Sequence, residues 1–381
     1  MVRLLQQYEN FLGRQVFSTI MGTGSRRNES CECGSGKKQK YCHPEGLKYL
    51  GQRDGVIKHF FLEKRCYAPK SWHKSCNSTI VNAHTISKSL GLAEIAQEGH
   101  VYTYDISVSG LERGFSPVMR GVNNASTFLG FCSYHDDVIF APLEKSCKLV
   151  PTKEQCFLLA YRAFCDSLYG MERKIQTVQY SNKYIKHKSP WVAGVIEAYL
   201  KNMPISLEEG KRIKERFDAS MLRGDFEMLQ SYVIVLDRIP PVLCSSNITP
   251  EFDFSGDRVQ NFGYSVEKIF VQINILGKDG KGYVIISWLA SQDSEARKFA
   301  ESLDSVPNNK LSAAVLRLMF GLAGNICMSP TWWEGLSDCQ RETLNDFLFE
   351  ALKPDRIVTS GLLEEMDIRD DPWGVVDRRW I

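Results

Sequence analysis

Residues 268–290, KIFVQINILGKDGKGYVIISWLA, carry the clearest fold signal in this chain. Two apolar runs rich in β-branched residues flank the short polar group KDGK at residues 278–281. β-branched residues favour strands, and Asp-Gly between two such runs is typical of a hairpin turn. SYVIVLDRI at residues 231–239 has the same strand character. These stretches predict an antiparallel sheet.

Apolar residues at helical spacing surround these strands. Ser189 and Pro190 form a typical helix start, and Ser206 and Glu209 have the spacing of a capping box. The predicted helices lie within residues 152–173, 189–202, 206–229, 294–303, 310–326 and 336–352. The sequence therefore predicts an α+β protein, with small zinc modules at the N-terminus followed by a helix plus antiparallel-sheet domain.

Length and composition indicate a folded protein of two or three units. The chain has 381 residues, of which 43% are hydrophobic and 24% charged, with a formal net charge of +2. This composition indicates a soluble globular protein rather than a disordered or collagenous one, and the net charge says little about partners. No run reaches the roughly 20 apolar residues of a membrane helix, and residues 1–17 are too polar for a signal peptide. We expect a cytoplasmic protein without membrane contact.

The stretch SCECGSGKKQKYCHP, residues 30–44, concentrates metal-binding side chains. The chain has 12 cysteines, and without a secretion signal these are expected to be thiols or metal ligands. Cys31, Cys33, Cys42 and His43 form two close pairs, the donor set of a tetrahedral zinc ion. With four protein ligands such a zinc has no open position for water, so its predicted role is folding or binding.

This pattern resembles the SEC-C motif, a zinc-binding module in which Cys-x-Cys-Gly-Ser-Gly-Lys-Lys precedes Cys-Cys or Cys-His. The resemblance covers residues 31–43 and implies the same four zinc ligands, with a protein partner as one use of the module. Lys37, Lys38 and Lys40 lie between the ligand pairs. They could contact nucleic-acid phosphates, or they could form a solvated loop.

A second group of ligand residues follows. Cys66 and Cys76, brought beside Cys132 and His135, could complete a second closed zinc site. Between the two pairs, STIVNAHTIS reads as a strand that carries His84, and after the second pair DVIFAPLEK reads as a helical turn. Cys156 and Cys165, in an apolar run, are expected to be buried without a chemical role.

The second group resembles a divergent HNH-type unit with the ββα-metal nuclease fold. The resemblance implies that His84 is the general base on water and that Asp136 binds a catalytic magnesium or manganese ion. It implies Asn124 as the middle asparagine of the motif, with Asn123 and Ser126 as alternatives. HNH units act on nucleic acids, so the implied substrate is DNA.

The sequence departs from the HNH pattern at two places. Nine residues separate Cys66 from Cys76 where two are usual, and Asp136 stands where the family has histidine. The AHTI and ASTFLGFCSYHD blocks also resemble uncharacterised bacterial proteins over residues 64–146, which implies a place in defence against phage. His100 is a further candidate ligand or phosphate contact. The adjacent Trp332 and Trp333 could stack on bases or anchor the core.

These observations predict the following organisation: an N-terminal segment that could be helical, 1–30; the SEC-C module, 31–46; the HNH-like zinc unit, 60–148; the helical and antiparallel domain, 151–355; and an acidic tail, 356–381. The leading hypothesis is a metal-dependent HNH-like nuclease that cleaves DNA. Its alternative is a non-catalytic zinc protein that binds nucleic acid or a protein partner, and a third is a toxin-like enzyme acting on RNA. The sequence does not indicate an oligomeric state.

Overall fold

The computed structural model describes residues 37–38, 41, 65–77, 79–104, 116–185, 190–260, 268–350 and 373–381. The strands are β1 Ile80–His84, β2 His100–Thr103, β3 Val118–Gly121, β4 Thr127–Cys132, β5 Leu229–Leu236, β6 Val242–Ile248, β7 Val271–Lys278, β8 Lys281–Leu289, β9 Ile326–Met328 and β10 Val375–Trp380. The helices are α1 Ser133–Ile139, α2 Ala141–Glu144, α3 Lys153–Ile185, α4 Pro190–Arg223, α5 Asp293–Asp304, α6 Asn308–Leu322, α7 Pro330–Gly335 and α8 Asp338–Glu350.

An antiparallel sheet in the order β10-β5-β8-β7-β6-β9-β2-β3 forms the centre of the described structure. The predicted hairpin is confirmed, because β7 and β8 pair along their whole length and close with Lys278 opposite Lys281. Asp279 and Gly280 have positive φ of 52° and 70°. Two consecutive residues with positive φ form the type I′ turn that matches the twist of a hairpin.

Both faces of this sheet are covered. In β5, Val233 and Val235 pack in one core with α3, whereas Tyr232 and Ile234 pack in the other core with α5 and α6. All eight residues of β7 are buried because both faces of the strand are covered, and its polar side chains find partners there: Gln272 donates to Asn247 Oδ1 and Asn274 Oδ1 accepts from Ser245 Oγ, both at 2.7 Å. Among the described helices, none combines the length and the apolar character needed to cross a membrane.

The first part of the chain divides between two sheets. β1 and β4 form a separate two-stranded antiparallel ribbon, which leads directly into α1. β2 and β3 instead extend the large sheet, because Tyr102 and Thr103 pair with Met328 and Cys327 of β9. Residues 60–148, predicted as one unit, therefore share a sheet with residues of the predicted domain 151–355.

The helical hairpin α3–α4 differs from the sequence prediction at one point. The two helices predicted on either side of Pro204 form the single helix α4, with that proline inside it. Ser206 and Glu209, predicted to cap a new helix, bind Lys268 instead: Ser206 Oγ accepts from Nζ at 2.8 Å and Glu209 Oε1 accepts from the backbone amide at 3.1 Å. The capping pattern therefore reflects a tertiary contact.

The end of the chain also differs from the prediction of a tail. Within residues 356–381, the last part forms the edge strand β10, which pairs with β5. Ser231 and Ile381 exchange two backbone hydrogen bonds of 2.8 and 2.9 Å. The predicted tail character thus does not hold for residues 373–381, because their backbone pairs with β5 and Trp373 packs in the core.

Gly91 fixes how the N-terminal part packs on the sheet. Its φ is +101°, and a Cβ there would lie 2.8 Å from the backbone nitrogen of Gly277 in β7. Gly91→Ala is therefore expected to lower the free energy of unfolding by about 2–3 kcal/mol, from backbone strain plus overpacking. Gly99→Ala is the matched control, because Gly99 also has positive φ (+73°) but open space around it. Equal losses in urea unfolding would contradict the steric argument.

Candidate metal centre

Four side chains predicted to bind metal converge at one end of the ribbon. Cys66, Cys76, Cys132 and His135 each place one donor atom within 4.8 Å of the other three. The sulfur atoms lie 3.5, 3.3 and 3.2 Å from Nδ1 of His135, in that order. The four residues are therefore close enough to hold a metal ion, as the sequence predicted.

Local structure brings the four donors together. Cys66 lies in an extended segment beside β4, where the amide of Tyr67 donates to the Gly130 carbonyl at 2.7 Å. Cys76 ends the 3₁₀ turn Lys70–Ser75. Cys132 is the last residue of β4 and His135 lies in the first turn of α1. Because residues three apart share one face of a helical turn, the strand-to-helix junction supplies half of the donors.

Backbone amides surround two of the sulfur atoms. Burial raises the pKa of the Cys66 thiol, and the amides of Cys132 and Ala68 oppose that change. Burial also acts to raise the pKa of Cys132, but amide donors from His135 and Asn77, together with the thiols of Cys66 and Cys76, outweigh it, so this pKa is lowered. Amides directed at sulfur stabilise a thiolate, which is the form that binds metal.

The other two donors are Cys76 and His135. To bind a metal, the Cys76 thiol must lose its proton, which a nearby cation favours, and the His135 imidazole must be neutral. Burial, followed by repulsion from Cys66, raises the pKa of Cys76 to about 12. Burial lowers the pKa of His135, which keeps its imidazole neutral, as metal ligation requires. The ring of Trp72 stacks on His135 with centroids 6.3 Å apart. Several thiolates this close together repel one another unless a cation lies between them.

The donor geometry fits a zinc-sized ion. Zn–S bonds of about 2.3 Å and a Zn–N bond of about 2.0 Å at a tetrahedral angle separate sulfur from nitrogen by roughly 3.5 Å. The observed separations of 3.2–3.5 Å are close to this value. Three thiolates and one imidazole fill a tetrahedral shell, so a metal bound here has no open position for a reacting water.

His84 lies at the other end of the ribbon. The register pairs Cys132 with Ile80 and His84 with Thr127, which places His84 roughly 13 Å along β1 from the metal cluster. Its Nε2 donates to the carbonyl oxygen of Val122 at 2.7 Å. This hydrogen bond fixes the tautomer and leaves Nδ1 without a proton. The structure therefore separates His84 from the predicted zinc ligands.

Burial is the main influence on the charge of His84. It lowers the pKa of the imidazole, and the positive charges of Lys88 and Arg162 add to this effect. The hydrogen bond to Val122 and the negative charge of Glu144 act in the opposite direction. The outcome is a half-buried, neutral imidazole near two cations.

Asp136, predicted to bind a catalytic cation, belongs to a buried charge cluster. Arg162 on α3 forms a 2.7 Å ion pair with Glu144, and Asp136 Oδ1 lies 3.9 Å from the same guanidinium nitrogen. Burial raises the pKa of Asp136 to about 6, while Arg162 opposes the rise. Asp136 Oδ1 is buried and makes no hydrogen bond within the part of the chain that the structure describes.

Sequence reasoning missed Arg162 and Glu144. Arg162 lies in the apolar run CFLLAYRAFC, is fully buried, and stacks its guanidinium 3.7 Å above the Phe140 ring centroid. A lone arginine among apolar residues of one helix is the signal that could have identified it, because buried arginine requires a partner.

The candidates for the middle asparagine lie in the turn before β4. Asn123 Oδ1 accepts from Lys88 Nζ at 2.5 Å. Ser126, with φ of +52°, accepts through Oγ from the amide of Ile86 at 3.0 Å. Asn124 lines a pocket beside the ribbon. The geometry does not select one of these three residues as the counterpart of the middle asparagine in the HNH pattern.

The remaining candidates lie elsewhere or outside the described ranges. The SEC-C ligands Cys31, Cys33, Cys42 and His43, together with Lys40, fall outside the described residues, whereas Lys37 and Lys38 are exposed. His100 Nδ1 donates to the Glu98 carbonyl at 2.8 Å, away from the metal cluster. Trp333 is buried in the core against Tyr102 and Tyr104, which supports its role as a packing anchor.

Comparisons with known proteins return nothing for this chain: no protein-family model matches, and neither does any curated protein or solved structure.

Proposed function

We propose that this protein is a zinc-stabilised, HNH-like nuclease that hydrolyses DNA with the help of a divalent cation. The observation that carries this proposal is His84, which is neutral, half-buried and held in one tautomer by the Val122 carbonyl. In this arrangement Nε2 donates a hydrogen bond to the protein, and Nδ1 can accept a proton. That is the arrangement needed for general-base catalysis.

Zinc is the metal we propose for the cluster of Cys66, Cys76, Cys132 and His135. The donor set and spacing support zinc, and its closed shell supports a structural role. The ion would tie the segment containing Cys66 and Cys76 to the β4–α1 junction. It would thereby hold the strand–strand–helix unit together, since few other interactions anchor a short ribbon.

The base and the surrounding charges support a phosphodiester substrate. Nδ1 of His84 would take a proton from the attacking water. Lys88 contributes positive potential at this end of the ribbon, which favours the approach of a phosphate anion. Arg162 is buried and its charge is offset by its ion pair with Glu144, whereas the exposed Lys88 is within reach of a ligand.

Asp136 and Glu144 are the residues that would hold magnesium or manganese. Both are carboxylates, the ligand type that these ions prefer, and the buried Oδ1 of Asp136, which makes no hydrogen bond among the described residues, fits such a role. The ion, when bound, would stabilise the negative charge that develops on the phosphate and the leaving oxygen.

A cleavage assay tests the proposal directly. The protein, dialysed free of loosely bound cations, is incubated with double- and single-stranded DNA with and without added magnesium or manganese. We expect DNA products only with the divalent cation. If the protein cuts RNA but not DNA, the toxin-like alternative is favoured. If neither is cut with either cation, the nuclease proposal is wrong.

The charge of His84 predicts the pH dependence of cleavage. Because the pKa of His84 is lowered from its ordinary value of 6.5, the imidazole is the neutral base at and above that pH. The cleavage rate should therefore be constant with pH above 6.5 and should fall at lower pH, as His84 and the cation ligand Asp136, whose pKa is about 6, take up protons. The charged groups that influence His84 are Lys88, Arg162 and Glu144. A pH–rate profile with its midpoint above 6.5 would contradict His84 as the base.

A non-catalytic zinc protein that binds nucleic acid is the alternative function. The observation that favours it is Arg162, which neutralises Asp136 and Glu144 and so competes with a cation for them. This alternative predicts DNA binding without cleavage under all cation conditions. Gel-shift and cleavage assays on the same preparation distinguish the two functions.

A further inference from the structure

A polar pocket lies between the β1–β4 ribbon and the large sheet. Its volume is about 220 Å³, which suits one planar ring system better than a drug-sized ligand of roughly 300 Å³ or more. β2, β3, β4, α3 and the turn before β9 all contribute to its walls. The polar side chains of the lining are those of Thr103, Arg120, Asn124, Ser126, Thr127, Asp166 and Asn325.

The pocket adjoins His84. Thr127, which lines it, is paired directly with His84 across the ribbon. Directly opposed residues of an antiparallel pair have their side chains on the same face, with Cβ atoms about 5 Å apart. If a base of the substrate occupies the pocket, the phosphate of the same or the next nucleotide can therefore reach His84, which would act as general base there.

Asp166 gives the pocket a carboxylate in an unusual place. It lies on α3 next to the fully buried Cys165, and burial raises its pKa to about 6 against the opposing effects of Thr85 and Arg173. Burying a carboxylate costs folding free energy, and carboxylates with shifted pKa values in clefts are concentrated at functional sites. When Asp166 is ionised, both of its carboxylate oxygen atoms accept hydrogen bonds and neither donates one.

Asn325 is held rigidly on the opposite side. Its Nδ2 donates to Ser126 Oγ at 2.9 Å and to the Ser245 carbonyl at 3.1 Å. Ser245 in turn donates through Oγ to the fully buried Asn274 at 2.7 Å. With its nitrogen occupied, Asn325 offers its amide oxygen to a ligand. This pre-organised network supports a built binding site rather than a surface depression.

We infer that the pocket binds an unpaired guanine base of the nucleic-acid substrate, an inference that rests on the proposed nuclease function. Among the common bases, only guanine presents two adjacent N–H donors on its Watson–Crick edge, which match the two oxygen atoms of Asp166. Arginine is the usual partner of guanine O6 and N7, and the exposed Arg120 lines the same pocket.

This assignment also defines the state of the substrate. A base that offers its Watson–Crick edge to Asp166 cannot be paired at the same time. The guanine must come from a single strand or be extruded from the duplex. The cleaved phosphodiester is then the one adjacent to that guanine, because the pocket and His84 share one face of the ribbon.

Nucleotide binding tests the inference without relying on cleavage. Isothermal titration of the wild-type protein with 5′-GMP, 5′-AMP and 5′-CMP is expected to give at least tenfold tighter binding of GMP. Asp166→Asn should remove this preference, because an amide offers one acceptor where guanine needs two. Asp338→Asn, which changes an exposed carboxylate on α8, is the matched control and should leave binding unchanged.

A second variant protects the test against misfolding. Arg120→Gln alters an exposed side chain and is expected to weaken GMP binding about tenfold while the thermal unfolding curve stays the same. Equal affinity for the three nucleotides, or a GMP preference that survives both substitutions, overturns the inference. Preferential GMP binding in a protein that cuts no nucleic acid supports the pocket and contradicts the nuclease. DNA cleavage without any GMP preference supports the nuclease and contradicts the guanine pocket.

Discussion

Cys132→Ser is expected to remove one metal ion from the protein and to unfold the strand–strand–helix unit. Cys132 is fully buried, its Sγ lies 3.2 Å from His135 Nδ1, and its pKa is lowered toward the metal-binding thiolate. Structural zinc contributes about 10 kcal/mol or more to folding at neutral pH. Loss of one ligand should therefore lower the free energy of unfolding by several kcal/mol and Tm by on the order of 10 °C.

Elemental analysis and thermal unfolding measure the two effects together. If the SEC-C module also holds zinc, the wild type should carry two zinc ions per chain and Cys132→Ser should carry one. Cys147→Ser is the matched control, since Cys147 is exposed and lies outside the four-residue cluster. The same zinc content in wild type and Cys132→Ser would show that the cluster is not a zinc site.

The metal cluster could be predicted because its donors are cysteine and histidine, residue types that identify candidate metal ligands directly in the sequence. Few arrangements other than metal binding place Cys132 and His135 three residues apart at the end of a strand. Thiol and imidazole donors then limit the candidate partners to the nearby Cys66 and Cys76. The structure confirms that these four residues are close enough to hold a metal ion. Predictions of this kind succeed because one ion requires a fixed set of donors.

The charge cluster behind His84 could not be predicted in the same way. Arg162 and Glu144 are 18 residues apart and meet only because α2 packs against α3. In the sequence, Arg162 lies within a helical pattern that fits a solvated position as well as a buried one. Its burial depends on Phe140, which provides a ring face for the guanidinium. Such a cluster depends on tertiary packing, which helical periodicity does not encode.

Long-range strand pairing explains the other errors. β2 joins the large sheet through residues 327 and 328, more than 200 positions away, and β10 pairs with β5 across more than 130 positions. Neither segment was predicted to be a strand, because strands this short are stabilised by their partner strands, which local sequence does not specify. The division of the chain into separate units was therefore too simple at residues 100–103 and 373–381.

The two ends of the ribbon have different predicted roles: metal binding at one end and catalysis at the other. A metal ion bound by the four donors would hold β4, α1 and the preceding segment together, whereas His84 lies about 13 Å away along β1 and bonds to the Val122 carbonyl. Substitutions at the two ends should therefore separate stability from catalysis. A variant at Cys132 should lose both properties, and a variant at His84 should lose catalysis alone.

His84→Ala is expected to reduce DNA cleavage at least 100-fold while the zinc content stays unchanged. A positioned general base contributes about 10²–10⁴ to a rate. The substitution also removes the hydrogen bond to the Val122 carbonyl, which should cost only about 1 kcal/mol of unfolding free energy. Cleavage of a labelled DNA substrate at saturating magnesium, measured beside elemental zinc analysis, gives both quantities from one preparation.

His100→Ala is the matched control for this substitution. His100 is an exposed histidine that begins β2, and its imidazole bonds only to the Glu98 carbonyl within the described structure. It should keep the wild-type rate, because its ring takes part in neither the metal cluster nor the pocket at His84. A fall in zinc content with His84→Ala would make His84 a metal-supporting residue and favour the binding function. Full cleavage by the same variant would require another base, and the tautomer held by Val122 would then have no catalytic role.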